Sequence, residues 1–303
     1  MLDVRKMTLL RELARLGTIA AVAQAQFCTP SAVSQQLAGL EREAGVPLLQ
    51  RSGRGVALTP AGADLAERAG QVLGLLEEAS AALASARAEL SGELRIGAFP
   101  TAMRTLLPAA LVALGAAHPR LELHVTELDP AQAPAALHAG LLDVALVHEY
   151  DYVPAEPDPG LVTRPLLSEA VYLASAADLP VPAGADPDPV RASRELPWIV
   201  ASPGTLCHLM AVRLCQAAGF TPRIRHYADD FAAVLTLVAA GQGVALVPEL
   251  ALADCPDGVT LAALSATRRT LIACRNGAQA HPAVAACSAA VSAAAGAYPG
   301  LAS

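Results

Sequence analysis

The apolar positions Leu2, Leu9, Leu10, Leu13 and Leu16 recur at helical spacing, with Arg5, Lys6, Arg11 and Arg15 between them. This stripe predicts an amphipathic helix ended by Gly17. Thr18 can cap a short second helix over Ile19 to Ala25, whose Ala20, Ala21 and Ala23 allow close approach by a neighbour. After a connection over 26–29, Thr29 and Pro30 are a cap and a first-turn proline opening a third helix through SAVSQQLAGLEREAG, which Gly45 terminates. Ala32, Val33, Leu37 and Leu40 fall on its inner face, and Ser31, Ser34 and Gln35 project outward. Val46 to Thr59 then reads as two short strands around the basic turn Arg51, Ser52, Gly53, Arg54, Gly55. Helix, tight turn, helix and wing predict a winged helix-turn-helix over residues 1–58.

Thr59 and Pro60 repeat the cap-plus-proline device and start a helix without a strong stop until Ser91 and Gly92. Leu65, Ala69, Val72, Leu76, Ala79, Leu83, Ala86 and Leu90 alternate steps of four and three, a heptad seam. Residues 59–90 are expected to form a dimerising linker helix, with Leu65, Ala69, Val72, Leu76, Ala79 and Leu83 at the interface. Docking of that helix on its own domain is the alternative, because several seam positions are alanine.

From Glu93 onward the pattern becomes strand, helix, strand: ELRIGAF, TLLPAALVALGAAH, LELHVTEL, a helix to about Gly140, and LLDVALVHEY. A second set follows: VYLAS, WIVAS, the helix LCHLMAVRLCQAAGF, RIRHY, the helix DDFAAVLTLVAAGQG, and VALVP. The alternation predicts a largely parallel α/β body over 91–303 made of two subdomains. TLIAC and the Ala-rich helix 281–297 are expected to return to the first. That places subdomain I at about 91–165 and 267–303, and subdomain II at 166–266. A cleft between them is a usual place for a small ligand.

The overall charge is −7, but residues 1–58 carry seven basic side chains against four acidic ones, a local +3 that leaves −10 for the rest. A basic end on an acidic body suits a protein that presents one end to phosphate. Thr29, Pro30, Ser31, Ser34 and Gln35 are candidates for contact with double-stranded DNA, and Arg51 and Arg54 for neutralising its phosphates. The chain is 54% hydrophobic, yet no apolar run approaches the roughly 20 residues that span a bilayer. Arg11, Glu12 and Arg15 interrupt what would have to be a signal-peptide core. A soluble, cytoplasmic protein without a membrane partner is expected.

The six cysteines (Cys28, Cys207, Cys215, Cys255, Cys274, Cys287) form no CxxC pair, and the seven histidines form no HExxH arrangement, so no metal site and no cofactor are expected. Absence of GxSxG, GxGxxG and P-loop patterns speaks against an enzyme. Cys207 and Cys215 stand eight residues apart on one predicted helix, about 12 Å and beyond disulfide reach without local unfolding.

The stretch GTIAAVAQAQFCTPSAVSQQLAGLEREAGVPLLQRSGRGVALTPAG resembles the DNA-binding region of LysR-type transcriptional regulators. Three positions depart from that pattern: Gln26 stands in place of the usual leucine, Gln35 of arginine, and Leu49 of phenylalanine. LLDVALV, SPGT and VAAGQGVALVP are similar to the family's effector-binding domain, of periplasmic-binding-protein type, so the likeness covers nearly the whole chain. It implies a homo-oligomeric DNA-binding transcription regulator, a dimer assembling into a tetramer, that responds to a small-molecule effector. It also implies effector contacts at helix starts facing the cleft: Phe99, Pro100 and Thr101, with Ser202, Gly204 and Thr205 opposite. Hydroxyls and N–H groups there favour an anion, hence a carboxylate-bearing metabolite, although each hydroxyl can equally serve as an ordinary cap. His148, ending a strand, points either into the cleft or into a surface loop.

Overall fold

Side-chain caps start the N-terminal helices. Asp3 accepts from the Arg5 N–H to open α1 (Val4–Leu16), Thr18 opens α2 (Ile19–Ala25), and Thr29 opens α3 (Pro30–Ala44). Gly17 and Gly45 close α1 and α3 in the left-handed conformation. The three helices bury Leu10, Val22, Val33, Leu37 and Leu40 against one another. The wing is an antiparallel pair, β1 (Leu49–Ser52) and β2 (Gly55–Leu58). The structure, a computed structural model, describes residues 1–53, 55–86, 89–154, 157–178 and 188–298, so Arg54 lies outside the described residues.

The linker helix α4 spans Pro60–Ser85, 26 residues or about 39 Å, and ends before the expected stop. Its seam divides between two partners. Ala69 is fully buried, and Leu65 and Val72 pack beside it, against the chain's own DNA-binding head. Leu76 and Leu83 are 50% and 72% exposed. The assignment of Ala69 to a dimer interface is therefore corrected: α1 occupies that part of the seam, because its apolar stripe needs cover on a second side.

The body begins with β3 (Gly92–Ala98), α5 (Pro100–Thr105), α6 (Leu107–Ala117), β4 (Leu121–Glu127), α7 (Ala133–His138) and β5 (Val144–Tyr150). It continues with β6 (Leu161–Ala176), α8 (Pro189–Ala192), β7 (Pro197–Val200), α9 (Leu206–Ala217), β8 (Arg223–Tyr227), α10 (Phe231–Ala239), β9 (Ala245–Pro248), β10 (Val259–Arg275) and α11 (Pro282–Gly296). A six-stranded sheet runs in the order β4-β3-β5-β10-β6-β9, and β7 and β8 form a separate parallel pair. The expectation of a largely parallel body needs correction. Only β3 with β4 and β5 is parallel in the large sheet; β10 lies antiparallel to both β5 and β6. β6 and β10 are 16 and 17 residues long, and VYLAS and TLIAC are only their ends. These two strands carry the chain between subdomains.

Ile96, Val144, Leu146, Val284 and Val291 form the core of subdomain I under α6 and α11, and Trp198, Leu173, Met210 and Val244 that of subdomain II. The head also rests on the body. Arg275 Nε bonds Glu77 of α4 at 2.5 Å while its Nη1 holds the carbonyls of Leu137 and Leu142. Gly277 has φ +90°, and a Cβ there would stand 2.3 Å from the carbonyl oxygen of Gly74, so this approach of linker to body requires glycine.

Candidate functional site

Two surfaces gather the candidate residues. On α3, Thr29, Pro30, Ser31, Ser34 and Gln35 are all exposed, as is Arg51 in the wing. The Thr29 hydroxyl accepts from the Ala32 N–H at 3.2 Å and lies 3.0 Å from the Ser31 hydroxyl. Ser34 donates to the Pro30 carbonyl at 2.9 Å. These hydroxyls keep acceptor capacity, and Gln35 has both donor and acceptor to offer. The basic surplus of the head is narrower than the sequence suggests. Lys6 is paired with Glu43, and both Arg11 and Arg15 bond Glu12, whose side chain has no exposed surface. Arg11 and Arg15 face the body.

The second surface is the cleft. In register, Tyr150, Arg268 and Glu169 lie side by side across β5, β10 and β6, and two residues along β10 Thr270 faces His148. The period of two puts Tyr150, His148, Arg268 and Thr270 on one face of the sheet. Register shifts between Ala263 and Thr267 and between Thr270 and Leu271 bracket Arg268, where such irregularities re-aim side chains. Arg268 is completely buried. Its Nε donates to Glu169 Oε1 at 2.7 Å, its Nη2 to Thr101 Oγ1 at 3.1 Å, and its guanidinium lies 5.0 Å from the Phe99 ring centroid. Glu169 is held in turn by the Leu250 N–H at 2.6 Å.

Three polar atoms there are buried without a partner: Arg268 Nη1, His148 Nδ1 and Thr270 Oγ1. Such atoms each cost about 1–3 kcal/mol unless something bonds them. Burial, and then the charge of Arg268, holds the His148 imidazole well below its usual range, so it faces the cleft neutral. Its ring meets Phe99 edge-on at 4.8 Å and Tyr150 at 5.2 Å. A cavity of about 300 Å³ opens here, lined by Phe99, Pro100, Thr101, His148, Thr205 and Arg268 among others. Five of the seven expected effector contacts thus converge. Ser202 and Gly204 do not line it. The Ser202 hydroxyl and N–H are both taken by Asp229, at 2.8 and 2.7 Å. Thr205 lines the cavity, yet its hydroxyl caps α9 by accepting from His208 N–H at 3.1 Å and donating to the Ser202 carbonyl. Arg268 and its partner Glu169, the cation and counter-ion of this site, were not among the sequence candidates.

The thiols here are not activated. Burial pushes the Cys207 thiol up, and Cys215 up to about 12, the opposite of what a reactive thiolate needs. Both lie on the intact helix α9. Among the described residues, no helix is long and apolar enough to cross a membrane.

Two family models match the chain. "Bacterial regulatory helix-turn-helix protein, lysR family" covers residues 4–63, and "LysR substrate binding domain" covers residues 87–296. The sequence is 33% identical over 222 residues to the probable hydrogen peroxide-inducible genes activator of Mycobacterium avium, covering 73% of this chain and 70% of that protein. It is 30% identical over 259 residues to the HTH-type transcriptional activator IlvY of Salmonella typhimurium, covering 85% and 86%. Among solved structures, an OxyR mutant of Corynebacterium glutamicum matches with a TM-score of 0.57 at 26% identity, covering 97% of this chain and 92% of that one. Full-length CbnR in complex with its target DNA matches in fold with a TM-score of 0.53 at 23% identity, covering 97% and 100%.

Proposed function

The chain belongs to the LysR family of bacterial helix-turn-helix transcriptional regulators, and on that premise we propose how its parts divide the work of a DNA-binding regulator that is modulated by an effector. The relatives named above are regulators of transcription, not enzymes. In this reading α3 enters the major groove, with Gln35, Ser31 and Ser34 toward base edges and Thr29 and Pro30 at the backbone. Arg51 and Arg54 of the wing neutralise phosphate. The exposed Leu76 and Leu83, with Ala79 between them, pair with the same stripe of a second copy, and the pairs assemble into a tetramer in the cytoplasm.

The effector is a small molecule bearing a carboxylate, bound in the cleft on Arg268 and Thr101. The observation that carries this reading is the unpartnered Nη1 of a fully buried arginine lining a cavity. A carboxylate there completes the guanidinium fork with a charge-assisted bond, worth about 1.5–3 kcal/mol. Because the cavity lies between subdomains that the chain links through β6, β10 and their connections, a ligand bound to both walls favours one relative arrangement over others.

The test is thermal unfolding of the full-length protein with a panel of aliphatic and aromatic small carboxylates. A binder at a hundredfold excess over its Kd stabilises by about 2.7 kcal/mol. Thr101→Val weakens that binder, and Arg268→Met abolishes its effect. Stabilisation that is unchanged in both variants, or absent across the panel, overturns the assignment.

A further inference from the structure

We propose that the occupant of the cleft carries a protonated amine as well as a carboxylate, as an α-amino acid does. This rests on the reading of the cleft as a carboxylate site and adds the second charge. The charges around the cavity do not balance for a simple carboxylate. Its floor is the fully buried Arg268, already matched by the equally buried Glu169. The rest of the lining supplies three carboxylates, those of Glu127, Asp129 and Asp229. His148 is neutral and adds nothing. A simple carboxylate reaches Arg268 past these three carboxylates, and their like charge opposes it. A zwitterion presents no net charge to them, and its two ends find opposite partners.

The placement of the two aspartates strengthens this. Asp129 follows β4 in subdomain I, Asp229 follows β8 in subdomain II, and both line the same cavity. Burial raises the Asp129 carboxyl, and the charge of Asp229 raises it further. Two like charges lining one cavity repel each other unless a cation lies between them. The neighbouring contact across the same mouth is already of that kind, since Arg104 of α5 meets Asp230, the cap of α10, at 3.2 Å. An ammonium between Asp129 and Asp229 would do the same for the second pair, and would make the amine the part of the ligand that draws the subdomains together.

Arg268, Asp129 and Asp229 line one cavity of about 300 Å³. That volume suits a compact ligand carrying both charges.

The experiment is calorimetric titration of the full-length protein with matched pairs: alanine and propionate, leucine and 4-methylpentanoate, glutamate and glutarate, phenylalanine and 3-phenylpropionate. The expected result is that at least one amino acid binds and its amine-free partner binds about tenfold or more weaker. Asp129→Asn, which keeps the cap on Ala131, then lowers the affinity for that amino acid by a similar factor and leaves its amine-free partner unweakened. If amine-free acids bind as tightly as the amino acids and lose affinity in Thr101→Val, the carboxylate site stands and the amine is refuted. If no member of any pair binds, both readings fall.

Discussion

Oε1 of Glu12, on the first helix of the DNA-binding head, lies 4.0 Å from Nδ1 of His138 on α7 of the effector-binding body. Neither side chain has more than 2% of its surface exposed. Glu12 also takes both Arg11 and Arg15, and His138 Nε2 is held by Asp158 at 2.8 Å. The head thus meets the body through a buried charge network beside the Glu77–Arg275 pair. Particular charged and polar side chains take part in that docking.

Glu12→Gln should uncouple that network. Burial alone would raise the Glu12 carboxyl, but the hydrogen bond and charge of Arg15, then Arg11 and His138, hold it below its ordinary value. The amide keeps one acceptor oxygen, so one arginine meets an NH2 group and both lose the carboxylate's charge. A destabilisation of about 2–3 kcal/mol is expected, under the ~3–5 kcal/mol of a fully buried pair because both arginines keep some water. Urea unfolding measures it, and a change within about 0.5 kcal/mol contradicts the role assigned to Glu12.

Gln26→Leu should stabilise the head. Nε2 of Gln26 is buried without a partner at a position where the family usually has leucine. Relieving it and adding apolar contact is expected to gain about 1–2 kcal/mol. A lowered urea midpoint in the variant would show that the amide is satisfied in solution.

Gln35→Ala and Arg51→Ala should separate reading from holding. The first relaxes sequence preference at one or two base positions by about 1–3 kcal/mol; the second weakens all sequences alike and reduces the salt slope by about one. Binding across a set of single-base operator variants at several salt concentrations distinguishes them. Equal loss over every sequence for Gln35→Ala removes it from base readout.

His148 should make the protein acid-sensitive below neutrality. The unfolded chain binds a proton at this ring below about pH 6.5, and the folded chain, whose ring is held well below that value, does not. Its share of stability is therefore complete above about pH 6.5 and is lost as pH falls through that value toward the folded one. His148→Phe should flatten the fall of Tm between about pH 7 and 5, by up to ~1.4 kcal/mol per pH unit. An unchanged slope would mean that the ring is protonated in the folded protein.

Much of the head was legible because its signals are local. Thr18, Thr29 and Thr59 each cap the helix that follows, and Pro30 and Pro60 occupy first turns as expected. The cleft was legible only in part. Phe99, Thr101 and Thr205 sit at helix starts that the sequence marks, but Arg268 lies in SATRRTLIAC, which reads as a polar approach to a short strand. Its burial comes from pairing with Glu169, 99 residues earlier, and from a register that only the assembled sheet defines. Glu12 was hidden for the same reason: nothing within α1 says that α7 will cover it. The linker seam misled at Ala69 because a heptad pattern records an apolar stripe without naming its partner.

Coupling between the cleft and the DNA-binding head is measured by the ratio of operator affinities with and without saturating effector. The operator would be selected from a random duplex pool, and the effector taken from the carboxylate panel. For the wild-type protein the ratio should depart from one by about tenfold, within the usual range of allosteric coupling. For Arg268→Met it should collapse to one, and for Thr101→Val it should shrink. A wild-type ratio retained in Arg268→Met would contradict the account, because the effector would then act from somewhere other than the floor of this cleft.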